Sequence, residues 1–209
     1  MSYLLGHWSV VAQRFSQHLR LTLLALAIAL IIAVPIGILV TRFKRLEGPV
    51  LGLFGVLYTI PSLALLVLLI PLVHLGITNA LIVLVTYAQV ILVRNIVVGL
   101  NGVSPALLEA ARGMGMNNWQ RLIKIELPLA LPVIIAGVRI AVVAIIGIGT
   151  VAALVNAGGL GALLFEGVAR NYPQEILVGG VGVALLAGLA NLLLRIAEQR
   201  VTRNIYGDT

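Results

Sequence analysis

The chain has 209 residues, 61% of them hydrophobic and only 10% charged, a mixture far from that of a soluble domain. Its 14 Lys and Arg exceed its 7 Asp and Glu, and the absence of Cys excludes disulfides, thiolate metal sites and a Cys nucleophile. Residues 1–19 (MSYLLGHWSVVAQRFSQHL) lack the apolar core of a cleaved signal peptide, so the first apolar span is expected to be retained. Their loose helical spacing predicts an interfacial segment, with Tyr3 and Trp8 at headgroup level.

Runs of about 17 to 25 apolar residues are long enough to cross a hydrocarbon core of roughly 30 Å as helices. Five fall near 20–41, 50–73, 77–98, 128–153 and 176–196. They are continuous rather than alternating, so the fold class is an all-α, polytopic membrane bundle forming one domain. RFKRLEGP (42–49) is a short turn after the first span. In the second, YTIPSLALLVLLIP, Pro61 removes a backbone donor and predicts a kink, with Ser62 placed to satisfy a freed carbonyl. The kink admits two readings, a hinge or an ordinary membrane-helix proline. Segment 156–175 (NAGGLGALLFEGVARNYPQE) is too polar to span and suits either a gate with close helix approach or a turn with a short interfacial helix. Residues 197–209 form a polar tail.

The placement of positive charge predicts topology rather than a nucleic-acid partner. Arg42, Lys44, Arg45, Arg112, Arg121, Lys124, Arg195, Arg200 and Arg203 fall on one side of the five spans. Arg14, Arg20 and Arg170 fall on the other, with Arg94 and Arg139 inside spans. The positive-inside rule puts the N-terminus outside, 99–127 and the C-terminus in the cytoplasm, and 156–175 outside.

The wettest stretch is EAARGMGMNNWQRLIKIELP (109–128). Ser104 and Pro105 predict a helix start, Gly113 and Gly115 its end, and Asn117 or Asn118 a second helix stopped by Pro128. Glu109 and Arg112 offer directional contacts, and Ala110 and Ala111 allow close approach by a partner. Residue types alone leave two readings, a knob for a socket or a solvated connector. Spacing adds information: Glu109-Ala110-Ala111, Gly115, Ile125 and Leu127-Pro128 match EAA-x3-G-x9-I-x-L-P at every specified position.

In that loop the chain resembles the inner-membrane permeases of binding-protein-dependent ABC importers. The resemblance implies that Glu109, Ala110, Ala111, Arg112, Gly113, Gly115, Ile125, Leu127 and Pro128 form a coupling helix and its exit, docking a cytoplasmic ATPase. YTIPSLALLVLLIPL (58–72) and NAGGLGALLFEGVARN (156–171) are similar to the osmoprotectant branch, whose members import glycine betaine, choline, carnitine or related solutes. The implied assembly has a second permease copy or paralogue, two ATPase subunits and an extracytoplasmic solute-binding protein, in the bacterial inner membrane.

No phosphate loop of the form G-x4-G-K-S/T occurs, so ATP and Mg are expected in the partner ATPase and no cofactor in this chain. The lone Asp208, with His7, His18 and His74, makes no metal-ligand or nucleophile spacing, which argues against an enzyme. Pathway or hinge candidates are Tyr58, Pro61, Ser62, Tyr87 and Arg139; the span aromatics Phe54, Tyr58 and Tyr87 are not marked as one cage. Arg139, inside a span, suits either a pathway role or structural pairing, and Arg94 is close enough to a span end to snorkel. The rivals are an importer of another small solute, such as methionine or a polar amino acid, and a non-transporting scaffold that docks an ATPase.

Overall fold

The computed structural model describes residue 3 and residues 6–207; Asp208 lies outside the described residues. The chain runs through α1 (Trp8–Arg42), a 3-10 turn (Lys44–Leu46), α2 (Glu47–Thr59), α3 (Ser62–Leu68), α4 (Ile70–Val73), α5 (Ile77–Asn101) and α6 (Pro105–Gly113). It continues as α7 (Asn118–Arg121), a π turn (Leu122–Glu126), α8 (Leu127–Val151), a 3-10 turn (Ala152–Val155), α9 (Leu160–Ala169) and α10 (Pro173–Tyr206). Among the described residues four helical rods are long and apolar enough to cross a membrane, one of them the continuous Asn118–Val155. The pair α2 and α3 makes a fifth crossing only as a broken span, bent by 89°.

Helix α5 sits at the centre, between α1 and α8, and contributes much of the core. Its neighbours approach through small residues, because lipid supplies no hydrophobic force between membrane helices and close backbone packing must hold them. On α1 the buried face is Ala25, Ala29, Ala33 and Gly37, one residue per turn. A Cβ on Gly37 would lie 2.4 Å from Ile96 Cγ2, and one on Gly137 of α8 would lie 2.4 Å from Asn95 Cβ. Glycine at both positions sets the helix separation. Helix α10 packs mainly on α8 and α9, and turns Leu177, Val181, Leu185, Leu189 and Leu193 outward at every fourth position, a lipid-compatible stripe.

Residues 8–19 are not a separate interfacial helix. They continue α1 without a break, because no Gly or Pro interrupts the run before Pro35 and His18 is fully buried within it. The His18 ring lies between two backbone groups, accepting at Nδ1 from the Leu160 N–H (3.3 Å) and donating from Nε2 to the Ile146 carbonyl (3.2 Å). Trp8 is exposed, whereas Tyr3 is buried and donates its hydroxyl to Glu175 at 2.9 Å. The expected tail at 197–209 is likewise helical as far as Tyr206, since no Gly or Pro lies between Gly188 and Gly207. Segment 156–175 contains α9, packed tightly: a Cβ on Gly161 would lie 2.0 Å from the Thr150 carbonyl oxygen.

Candidate coupling and pathway site

The elbow is closed by backbone chemistry on both sides. At the end of α6 the Met116 N–H bonds the Ala111 carbonyl (3.1 Å) and the Gly115 N–H bonds that of Arg112 (2.9 Å). This is a Schellman motif with Gly115 at φ +79 in the left-handed position that disfavours a Cβ. Two residues later Asn117 caps α7, its Oδ1 accepting from the Trp119 and Gln120 N–H groups while Gln120 Oε1 accepts from the Asn117 N–H. Ser104 and Pro105 hold the N-cap and first helical positions of α6, but the Ser104 hydroxyl makes no cap; its carbonyl accepts from Leu107 and Leu108 instead.

Glu109, Ala110, Arg112, Gly113 and Gly115 are exposed on this elbow. Ala111 is not: it is fully buried, because one residue of helix is a 100° rotation and Ala111 falls on the inward face of α6. Its small side chain serves packing within the chain, not approach by a partner. Ile125, Leu127 and Pro128 are half-buried.

Pro128 does not stop the second helix. The Leu127 N–H reaches back five residues to the Leu122 carbonyl, and this π turn places Pro128 in the first turn of α8, where its missing N–H is tolerated. The elbow is therefore joined through residues 114–117 to a rod, Asn118–Val155, that enters the membrane bundle as one continuous helix. The π turn also presents Glu126, which the sequence left among the loop's charges. Glu126 is buried and bridges two arginines, Arg121 Nε at 2.9 Å and Arg42 at the end of α1 at 3.0 Å. Two cations on one desolvated carboxylate hold the elbow to the first span. Only the fold could show this, since Arg42 and Glu126 are 84 residues apart (126 − 42 = 84).

A second cluster forms where α2 stops. Ile60 and Pro61 are extended, with ψ of 127 and 132, so the kink is a complete break. Ser62 starts α3 without a side-chain cap and does not repair it. Repair comes from α5: the Tyr87 hydroxyl donates to the Ile60 carbonyl, and Asn79 Nδ2 donates to the Leu66 and His74 carbonyls at 3.0 and 3.1 Å. Tyr58 and Tyr87 meet with ring centroids 5.5 Å apart and planes tilted by 51°. Four of the five pathway candidates, Tyr58, Pro61, Ser62 and Tyr87, are thus gathered at one break.

The fifth is elsewhere. Arg139 on α8 lies 3.2 Å from Glu198 and 3.5 Å from Asn191 Oδ1, both on α10, so the protomer itself supplies its counter-charge. Arg94 is exposed on α5. The elbow and the end of α1 share one end of the bundle through Arg42 and Glu126, whereas Arg14 pairs with Glu166 (3.3 Å) on the short α9 helix that connects α8 to α10.

A long-helix bundle with an exposed, glycine-closed elbow joined to a membrane rod is the frame of a transport permease. Residues 33–205 match the family of binding-protein-dependent transport system inner membrane components, and the chain belongs to that family. It is therefore a multi-pass inner-membrane permease of an ABC importer, a class that works with an ATPase and a solute-binding protein. Among its relatives, the osmoprotectant import permease protein OsmW of Salmonella typhimurium is 43% identical, covering 92% of each chain. The glycine betaine/carnitine/choline transport system permease protein OpuCB of Bacillus subtilis is 36% identical over 97% of this chain and 93% of its own. The carnitine transport permease protein OpuCB of Listeria monocytogenes is 40% identical over 89% and 85%. The fold matches a chain of the MetNI methionine ABC transporter in an inward-facing conformation, with TM-score 0.86 at 24% identity, over 95% of this chain and 99% of that one.

Proposed function

We propose that this permease imports a small compatible solute such as glycine betaine, carnitine or choline, by alternating access driven by ATPase subunits that dock on the elbow at Glu109 to Gly115. The observation that carries the reading is mechanical. The elbow is exposed, closed by a Schellman motif and a capping box, and linked by residues 114–117 to the rod Asn118–Val155, which the π turn keeps continuous. A displacement imposed on it is passed into the bundle along α8 and, through Glu126 and Arg42, along α1.

Two permease copies, or this chain with a paralogue, flank the pathway, with two ATPases at the elbow end and the binding protein at the opposite end. The N-terminus is outside and the elbow cytoplasmic, as the distribution of Lys and Arg favours. Glu109, Ala110, Arg112 and Gly115 make the docking contact, and Ile125, Leu127 and Pro128 carry it into α8. ATP and Mg bind the partner ATPase. The solute class is supported by the osmoprotectant, carnitine and choline permeases among the relatives.

The test is reconstitution with the cognate ATPase and binding protein in proteoliposomes, with radiolabelled glycine betaine, choline, carnitine and proline competing for uptake. ATP-dependent uptake of one of these is the expected result. Uptake of methionine or a polar amino acid instead overturns the solute assignment, and ATPase docking without flux of any solute overturns transport itself. Glu109→Ala is expected to leave membrane insertion intact and to separate ATP hydrolysis from uptake.

A further inference from the structure

We infer that the break between α2 and α3, with Tyr58 and Tyr87, is a cation-selective subsite in the membrane pathway that takes the quaternary ammonium group of the passing solute. The inference rests on the proposed solute class and names the residues that meet it inside the membrane. It begins with depth. Tyr58 lies eleven residues after the start of α2 and Tyr87 ten after the start of α5, about 16 and 15 Å along their helices. Both are near the middle of a hydrocarbon core about 30 Å thick.

At that depth an open backbone cannot face lipid, because each carbonyl without a donor is costly there; such a break survives only against protein or water. Here the Leu57 carbonyl accepts from Ile60 and the Ile60 carbonyl from Tyr87. Among the described residues, the carbonyls of Tyr58 and Thr59 receive no backbone hydrogen bond, since Pro61 has no N–H and the chain has turned away by 89°. Tyr58, Thr59 and Pro61 are all exposed in the protomer. The break therefore lines a space that is not lipid, and in a permease that space is the pathway.

The chemistry of the lining selects the sign of charge. The 13 residues of α2 end at this point, so the negative end of its dipole and two unpaired carbonyl oxygens are presented together. Beside them stand two tyrosine rings, Tyr58 exposed and Tyr87 buried and held by its hydroxyl bond to Ile60. Aromatic faces and carbonyl oxygens attract a cation that cannot donate hydrogen bonds, which is the character of a quaternary ammonium. No Asp, Glu, Lys or Arg occurs between Gly48 and Val93, and the single His of that stretch, His74, lies beyond the end of α4, twelve residues past Ser62. The first charge along α5, Arg94, is two turns or about 10 Å beyond Tyr87.

The test uses the full complex in proteoliposomes, with radiolabelled choline, glycine betaine and carnitine as probes. Three replacements of the exposed Tyr58 are compared: Tyr58→Phe, Tyr58→Leu, and a phenylalanine whose ring carries three fluorines. If the ring face holds the cation, Tyr58→Phe keeps uptake within about twofold, whereas Tyr58→Leu and the fluorinated ring each lower it about tenfold or more. Co-purification of the ATPase subunits stays at the unmodified level in all three, which shows that the variants assemble. Wild-type uptake in Tyr58→Leu, or a fluorinated variant that behaves as Tyr58→Phe, overturns the subsite and leaves the proposed solute class standing. An unmodified complex that moves none of the three probes overturns the solute class, and the subsite with it.

Discussion

The chain interrupts its helices in two places to opposite effect. At the elbow the interruption is sealed: the Schellman motif, the Asn117 capping box and the π turn satisfy the backbone, and a buried carboxylate binds two arginines across it. At Pro61 the interruption is left open, with α2 burying no residue and α3 only Leu66. One side-chain donor, Tyr87, reaches the freed Ile60 carbonyl. A sealed interruption transmits force, while an open one presents backbone to whatever passes. The difference lies in where donors for the freed carbonyls come from, within a few residues at the elbow and from another helix at the break.

The contrast can be attacked at its strongest point first. Glu126→Leu leaves Arg121 buried without a counter-charge, and a loss of about 3–5 kcal/mol is expected, read as a lowered unfolding temperature in detergent or nanodiscs. A variant as stable as the parent would mean that the elbow is not tied to α1. Next is Gly115→Val, which forces a β-branched residue to φ +79. Nothing lies within 4 Å of the added Cβ, so the effect is strain alone, about 1–3 kcal/mol. Uptake should fall with it, while Gly115→Asn, which tolerates that conformation, should restore most of it.

The open break is probed more gently. Tyr87→Phe keeps the ring but removes the donor on the Ile60 carbonyl, at an expected cost of about 1–3 kcal/mol. Amide exchange should then quicken in α3 and not in α6; equal quickening in both would show that the two regions are not independent. The smallest effect is expected at Arg14 and Glu166, a pair whose side chains are 29% and 41% exposed. Glu166→Gln should change stability by less than about 1 kcal/mol, and a double-mutant cycle with Arg14→Gln measures it.

Much of the elbow was legible because its signals are local. Gly115, the Asn117 helix start and the Ser104-Pro105 start all act within four residues, so their spacing carries their geometry. Misreadings arose where a local rule met a longer-range constraint. Pro128 reads as a stop until the π turn shifts the ladder beneath it, and Ala111 reads as surface until the inward face of α6 is known. Pro61 announces a kink, yet its depth depends on donors from α5 that no pattern around Pro61 reveals.

The amino-acid sequence by itself determined the membrane class, the long apolar segments and the spacing of the elbow, because hydropathy and turn chemistry act on residues near one another in the chain. Tertiary structure alone decided that Glu126 joins the elbow to α1, that Arg139 is matched by Glu198, and that Tyr58 and Tyr87 meet at the broken span. Each of those pairs spans 29 or more residues, and such partners are selected by how helices pack, a property that no short window contains.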